Sequence, residues 1–316
     1  MDVVIKALSF FIDLLLPIYI GYSLQKWKKA KQAHFDKMMV INIFFLSTFL
    51  NILSFWKITL NSGLIWLPIL GILMHIIPGT MAYIYVKSTY NDPLEQGSYI
   101  LSALLSNRGV IGAISVFILF NEKGYALTQL VVLPTNFILY MFCFPMAQYY
   151  YEASRTGRRT NISLRSLLFN PNQIPILGIG LGLLLNIGHF HRFLVFGNIF
   201  NYSIHLRSWL YMLPLGYSIN FFKMKKYWNI MFGLSAIKFL VTPVVIYLLG
   251  RLVIADHQTL TIIVILSCTP TAINAVVTAK IHKLNVDLTM AAFVSTTAVY
   301  MFVIFPLIFI IYGKTF

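Results

Sequence analysis

The sequence predicts an all-α polytopic membrane protein with ten transmembrane helices. These would form two inverted five-helix repeats, with crossover helices 4 and 9 broken near the middle of the membrane. Three observations support this: the composition, a polar break in two apolar stretches, and features that recur about 160 residues apart. Hydrophobic residues make up 59% of the chain and charged residues 10%, whereas soluble domains average about 25% charged residues.

The apolar runs set the positions of the ten helices, since a spanning helix needs about 20 residues and the chain has 316. The first run, 8–24, resembles a signal peptide in length. It lacks a small-residue cleavage site and has little positive charge before it, so it is predicted to be helix 1. The predicted helices span residues 7–25, 38–57, 64–86, 97–120, 126–150, 172–188, 198–222, 228–250, 259–281 and 288–312.

Predicted helices 4 and 9 each contain a polar interruption. Helix 4 is interrupted at 106–109 (Ser-Asn-Arg-Gly) and helix 9 at 268–271 (Cys-Thr-Pro-Thr). The freed backbone N–H and C=O groups at such a break have no water to bond in lipid, so the break must be buried in protein or line a wet cavity. Paired breaks in two halves of a chain are typical of the substrate site of a secondary transporter.

The two halves of the chain share several short patterns in the same order. Because five helices per repeat is an odd number, the second repeat must enter the membrane from the opposite side, which makes the repeat inverted. We therefore divide the chain into a first repeat, 1–150, and a second repeat, 151–316. The matching patterns are 140–145 with 300–306, Pro17-Ile18 with Pro175-Ile176, and Pro78 and Tyr83 with Pro243 and Tyr247.

The net charge of +15 comes from basic residues in short loops between apolar runs. This pattern is typical of a topology signal and not of a nucleic-acid-binding face. Fifteen of these residues fall on one side of the predicted membrane and six on the other, so both termini are predicted to be extracytoplasmic. The fifteen are Lys26, Lys28, Lys29, Lys31, Lys37, Lys87, Arg155, Arg158, Arg159, Arg165, Lys223, Lys225, Lys226, Lys280 and Lys283; the six are Lys6, Lys57, Lys123, Arg192, Arg251 and Lys314.

The residues around the breaks resemble motifs of a known family. Over essentially its whole length the chain resembles the auxin efflux carrier family, the bacterial relatives of the plant PIN carriers. Two departures are an isoleucine (Ile114) where the family's first motif continues to a proline, and Arg108 where a small or apolar residue is expected. The matching residues are Asn107-x-Gly109-x-x-Gly112, Pro270-Thr271-Ala272-x-Asn274-Ala275 with Ala279-Lys280, Asn136 with Tyr140, and Leu213-Pro214-Leu215-Gly216.

The resemblance implies a homodimer in the cell membrane that transports organic anions such as malate, malonate or auxin. Helices 1, 2, 6 and 7 would form a scaffold, and helices 3–5 and 8–10 a mobile transport domain that moves like an elevator. The short loop between helices 5 and 6 resembles prokaryotic members, which indicates a prokaryotic inner membrane. Sodium–bile acid symporters have a related fold, so a sodium-coupled symporter is an alternative.

Arg108 is the sharpest candidate for binding a substrate anion. An arginine near mid-membrane is costly and normally faces a cavity or a partner, and its donors match a carboxylate bidentately. The alternatives are that it caps backbone carbonyls of the broken helix or pairs with Asp13.

The other polar residues at the breaks either bind substrate or satisfy freed backbone groups; they are Asn107, Thr269, Thr271 and Asn274. Gly109 and Pro270, the remaining predicted site residues, would shape the breaks.

Four further residues are secondary candidates. Asn136 in helix 5 and Lys238 in helix 8 would extend the substrate site, although Lys238 could instead pair internally. Asp13 and His75 are candidates for proton coupling, but either could be an ordinary hydrogen-bonding or ion-pairing group. Arg207, with His205, is expected nearer the outer surface, where a function is a weaker prediction.

No cofactor or metal is predicted. Cys143 and Cys268 lie inside apolar runs and indicate neither a disulfide framework nor a metal site.

A proton gradient or facilitated diffusion is favoured over sodium, because the predicted transport domain is poor in carboxylates. A membrane-embedded enzyme is disfavoured because no acid, His or Cys cluster is recognisable, and a sensor because no signalling domain is present. The expected partners are a small organic anion, the lipid bilayer and a second copy of the chain, with no nucleic acid.

Overall fold

The computed structural model describes residues 3–27, 30–59, 62–155, 174–219 and 225–312. It is almost entirely helical, at 87%, and six helical segments are long and apolar enough to cross a membrane. The all-α membrane fold is thereby confirmed at this coarser level. The basic positions Lys28, Lys29, Arg158, Arg159, Arg165, Lys223 and Lys314, and the predicted helix ends at 172–173 and 220–222, lie outside the described residues.

The six segments include several α-helices that run directly into π-helical turns; four of these turns join two α-helices without a loop, and the turn at Arg108–Gly112 opens a segment. These turns span Asn42–Ser47, Arg108–Gly112, Leu139–Cys143, Ile237–Val241 and Tyr300–Ile304. The helices are α1 (Val3–Lys26), α2 (Gln32–Ile41), α3 (Thr48–Trp56), α4 (Trp66–Thr89), α5 (Pro93–Leu104), α6 (Ala113–Val132), α7 (Thr135–Ile138), α8 (Phe144–Ala153), α9 (Ile174–Ile187), α10 (Val195–Ser218), α11 (Met231–Ala236), α12 (Thr242–Val253), α13 (His257–Ser267), α14 (Ile273–Ile281), α15 (Val286–Val299) and α16 (Phe305–Tyr312).

The helix predicted to begin at residue 126 begins earlier than expected. The chain turns between predicted helices 4 and 5 at Asn121, which has φ 55° and ψ −150° within α6. Asparagine tolerates this left-handed φ better than most residues, but a single asparagine in an apolar stretch gives little sequence signal. In the second half, Lys283 has φ 55° between α14 and α15, so a left-handed residue follows each interrupted helix.

Both interrupted helices begin at an aspartate cap. The side chain of Asp92 accepts a hydrogen bond from the backbone N–H of Leu94 at the start of α5. Asp256 accepts from the backbone N–H of Thr259 at the start of α13. A carboxylate here satisfies free N–H groups and lies at the positive end of the helix dipole.

The two interruptions cross each other and form a short antiparallel β-bridge between Ser106 and Thr271. The backbone N–H of Asn107 donates to the carbonyl oxygen of Pro270 at 2.7 Å, and the N–H of Ala272 donates to that of Leu105 at 2.8 Å. Each break therefore supplies the hydrogen bonds that the other lacks. This is the compensation that a non-helical segment at membrane depth requires.

Glycines allow close approach of the helices beside the crossing. A Cβ at Gly21 in α1 would lie 2.1 Å from the carbonyl oxygen of Leu213 in α10, and one at Gly216 in α10 would lie 2.1 Å from that of Ile18 in α1. At Gly178 in α9, a Cβ would lie 2.5 Å from the carbonyl oxygen of Thr48 in α3. Small residues that bring backbones together are typical of packing between membrane helices.

Candidate functional site

A cavity of about 420 Å³ lies beside the crossing of the two broken helices. The first break, Ala272 directly after the second break, and residues of α3, α6, α7, α9, α10 and α14 line it. Both polar and apolar side chains line it. The polar lining residues are Ser47, Asn51, Ser106, Asn107, Gln129, Thr135, Asn136, Tyr140, Arg207, Tyr211, Asn274 and Thr278.

Four of the predicted site residues line this cavity: Asn107, Gly109, Asn136 and Asn274. Asn107 and Gly109 belong to the first break, while Asn274 lies in the first turn of α14, directly after the second break. A Cβ added at Gly109 would meet no atom within 4 Å, so the backbone here is open to the cavity. The crossing therefore brings together residues that are 167 positions apart in the chain, as Asn107 and Asn274 are.

Thr269, Pro270 and Thr271 hold the crossing together and are absent from the cavity lining. The hydroxyl of Thr269 donates to the carbonyl oxygen of Leu266 at 2.8 Å. The hydroxyl of Thr271 donates to the backbone carbonyl oxygen of Ser102 at 2.9 Å, and the backbone N–H of Thr271 donates to the Thr296 hydroxyl at 3.0 Å. These contacts match the interpretation in which polar residues satisfy freed backbone groups.

Arg108 is fully buried, but its guanidinium is directed away from the cavity and towards α4. Its Nη2 donates to the carbonyl oxygen of Met74 at 2.7 Å, and its Nη1 lies 3.0 Å from Nε2 of His75. Arg108 therefore caps a carbonyl, as one alternative expected, although the carbonyl belongs to α4 and not to the broken helix. The pairing with Asp13 is wrong, because Asp13 contacts other residues.

His75 and Lys238 lie on the same side of the crossing as Arg108. His75 Nδ1 lies 2.7 Å from the carbonyl oxygen of Gly71; since a carbonyl only accepts, Nδ1 carries the proton and Nε2 is free to accept from Arg108. The Lys238 ammonium donates to the carbonyl oxygen of Ala103 at 3.1 Å and to the Ser106 hydroxyl at 2.7 Å. Lys238 thus bonds internally, which was the alternative interpretation.

Asp13 lies apart from the crossing, between α1 and α10. Its carboxylate contacts Nδ1 of His205 and accepts a hydrogen bond from the indole N–H of Trp209 at 3.1 Å. The Asp13 side chain is 8% exposed and that of His205 is 37% exposed. This pair of titratable groups lies at a partly accessible position.

Several buried polar atoms around the cavity have no hydrogen-bond partner. An unsatisfied buried polar atom costs about 1–3 kcal/mol, so each normally meets a water or a ligand. Most of these atoms are donors, which favours an occupant rich in acceptors. They are Nε of Arg207, Nδ2 of Asn107, Nε2 of Gln129, Oγ1 of Thr135 and Oδ1 of Asn51.

Arg207 is a functional candidate that the sequence analysis ranked only as a weaker prediction. It lies in α10 with 8% of its surface exposed, and it is the only formally charged residue among the described residues that line the cavity. Its Nη1 donates to the Tyr125 hydroxyl at 2.8 Å, which leaves Nε unpaired. An arginine within an apolar helix was the available signal, but its expected position nearer the outer surface made a function there a weaker prediction.

A second cavity, of about 470 Å³, lies at the loop between α9 and α10. Arg192 and Glu122 form an ion pair there, and Trp56, Lys57 and His191 complete part of the lining. This cavity shares no lining residue with the one at the crossing, and its arginine already has a carboxylate partner. The cavity at the crossing is therefore the better candidate site.

Among the described residues, no group of three or more His, Cys, Asp or Glu side chains is placed to hold a metal ion. Cys143 and Cys268 are buried free thiols. No family model and no curated protein matches this chain.

Proposed function

We propose that this protein is a secondary transporter of small organic anions, carboxylates such as malate or malonate. It would work in a prokaryotic inner membrane as a homodimer, with ten transmembrane helices in two inverted repeats and both termini extracytoplasmic. The observation that carries the proposal is the crossing of two broken helices beside a cavity whose lining residues include buried, unpaired donors. Broken helices that meet at membrane depth are typical of transporter substrate sites.

Arg207 is the counter-charge for the anion in this proposal, in the role that the sequence analysis gave to Arg108. Its Nε has no hydrogen-bond partner, and Arg207 lines a cavity whose described lining contains no carboxylate. The amides of Asn107 and Gln129 add further donors. A carboxylate is an acceptor-only group when ionised, so one bound here would satisfy donors that are otherwise left without partners.

Alternating access follows from the position of the cavity between two groups of helices. α9 and α10 belong to the proposed scaffold, whereas the breaks and α14 belong to the proposed mobile domain. Movement of the mobile domain against the scaffold, as in an elevator, would carry the anion and open the cavity to each side in turn. The hydrogen bond between Arg207 in α10 and Tyr125 in α6 spans these two groups.

A proton gradient is the proposed driving force, with facilitated diffusion as the simpler alternative. Asp13 is the better coupling candidate, because its carboxylate contacts the partly exposed imidazole of His205. His75 is fully buried, and both of its ring nitrogens lie within hydrogen-bonding distance of protein groups. An exporter of aromatic acids remains a second candidate, favoured by the apolar part of the lining, such as Phe144 and Ile179.

The test is uptake of labelled malate into proteoliposomes that contain the purified chain, with unlabelled carboxylic acids as competitors. We expect saturable uptake that dicarboxylates compete, with stimulation by an inward proton gradient. Arg207→Met should weaken binding about 10- to 150-fold, because a hydrogen bond to a charged group contributes about 1.5–3 kcal/mol. Arg251→Met, at an exposed arginine of α12, is the matched control and should behave as wild type.

Two further variants separate charge from folding. Arg207→Lys keeps the positive charge without the guanidinium geometry, and it should bind more tightly than Arg207→Met. Tyr125→Phe removes the hydroxyl partner of Arg207 and should retain anion binding. Unchanged affinity in a well-folded Arg207→Met protein would exclude the proposed counter-charge. Absence of flux for dicarboxylates, monocarboxylates and aromatic acids alike would overturn the transporter proposal.

A further inference from the structure

Two positive charges are buried beside the crossing and do not line the cavity. Lys238 and Arg108 are each 1% exposed. The ion pairs of the described residues are Arg192–Glu122, His205–Asp13 and Lys226–Glu95. Among the described residues, therefore, neither buried cation is paired with a carboxylate. Their hydrogen-bond partners are neutral oxygen and nitrogen atoms.

The ammonium of Lys238 lies at the carboxyl end of a half-helix. Ala103 is in the last turn of α5, where carbonyl oxygens have no partner within the helix and the helix dipole is negative. Nζ of Lys238 contacts the Ala103 carbonyl oxygen at 3.1 Å and the Ser106 hydroxyl at 2.7 Å. In transporters with broken helices, such carboxyl ends and unwound carbonyls coordinate the coupling sodium ion or proton.

Arg108 adds a second fixed charge near the same point. Its guanidinium satisfies the Met74 carbonyl at 2.7 Å and the Nε2 of His75 at 3.0 Å. Because Nδ1 of His75 donates to the Gly71 carbonyl and Nε2 accepts from Arg108, the imidazole is neutral and offers no negative charge. A free monovalent cation entering this region would be repelled by two like charges in a medium of low dielectric constant.

We infer that Lys238, supported by Arg108, acts as a tethered cation that takes the place of a free sodium ion at the crossing. The oxygen atoms that would coordinate sodium are already occupied by an ammonium that cannot dissociate. Transport through this site therefore needs no sodium, which separates this chain from sodium-coupled symporters. The expectation that uptake is independent of sodium rests on the proposed transport function. The expectation about thermal stability in sodium does not.

The test compares thermal unfolding of the purified full chain in sodium chloride and in choline chloride of equal ionic strength. Wild type should unfold at the same temperature in both salts. Lys238→Ala removes the ammonium and leaves space at the Ala103 carbonyl; we expect its melting temperature to fall by several degrees and to recover partly in sodium but not in choline. A purely structural role for Lys238 would produce the fall without the sodium-specific recovery.

Three more variants keep the test decisive if Lys238→Ala does not fold. Lys238→Arg retains a positive charge and should remain close to wild type, whereas Lys238→Met should be destabilised. Lys87→Met, at an exposed lysine of α4, is the matched control and should change little. The inference is overturned if sodium specifically stabilises the wild-type protein, or if Lys238→Met is as stable as Lys87→Met.

A flux measurement tests whether uptake depends on sodium. In proteoliposomes, an inward sodium gradient should leave wild-type uptake unchanged relative to choline, and sodium-stimulated uptake would overturn the inference. Failure of all uptake would count against the proposed transport function alone, because the thermal unfolding experiment reports on the tethered cation without any substrate.

Discussion

Packing between α1 and α10 gives the sharpest prediction about stability. These helices touch through two glycines in a reciprocal arrangement: Gly216 faces the carbonyl oxygen of Ile18, and Gly21 faces that of Leu213. A Cβ at Gly216 would lie 2.1 Å from the Ile18 oxygen, whereas a normal carbon–oxygen contact is about 3.3 Å. The Gly216→Ala change therefore requires the helices to separate locally by about 1 Å.

The cost of this separation follows from the atom that must move. The clashing atom belongs to a helix backbone and not to a flexible side chain, so it cannot rotate away. Overpacking of this kind costs about 1–3 kcal/mol, which corresponds to a fall in melting temperature of roughly 2–5 °C for a chain of this length. The double variant Gly21→Ala/Gly216→Ala should cost less than the sum of the single variants, because one displacement of the helices relieves both clashes.

The assay is thermal unfolding of the purified protein in detergent, followed by tryptophan fluorescence. Gly197→Ala is the matched control because it lies in the same helix, and a Cβ there would meet no atom within 4 Å. It should leave the melting temperature unchanged or slightly higher, since alanine favours a helix over glycine. Equal melting temperatures for Gly216→Ala and Gly197→Ala would refute the close packing of α1 on α10.

Two further predictions concern the cavity and a helix cap. Gly109→Val should leave the melting temperature unchanged, since a Cβ there meets no atom within 4 Å. It should weaken anion binding at least about tenfold, because the added side chain fills part of the cavity. Equal anion affinity in Gly109→Val and wild type would contradict the proposed site. Asp256→Ala should destabilise the protein by about 1 kcal/mol at neutral pH, because it removes the cap of α13. The hydrogen bond from the Thr259 hydroxyl holds the pKa of Asp256 below its ordinary value of 3.8, so this contribution is complete above that value and is lost as the pH falls through the lower, folded-state pKa. The difference in melting temperature between wild type and Asp256→Ala should therefore narrow in acid, and a constant difference would contradict the role of the carboxylate.

The sequence by itself determined the class of fold and the positions of the two breaks. Composition and the length of the apolar runs identify a helical membrane protein, because lipid forces each spanning segment to satisfy its own backbone. The same constraint makes the polar interruptions at 106–109 and 268–271 conspicuous. Asn107, Gly109, Asn136 and Asn274 were predicted from these breaks and from the family resemblance, and they line one cavity. The sequence also suggested a repeat, which stays a prediction.

Only the tertiary structure decided where the charged side chains point. Arg108 lies at a polar break and Lys238 lies inside an apolar run, and both positions predicted contact with a ligand. Each instead donates to a backbone carbonyl oxygen of a residue that does not line the cavity. Arg207 was expected nearer the outer surface, yet it lines the cavity and its Nε has no hydrogen-bond partner. The direction of a long side chain depends on which neighbouring helix offers an acceptor, and helix periodicity does not specify that neighbour.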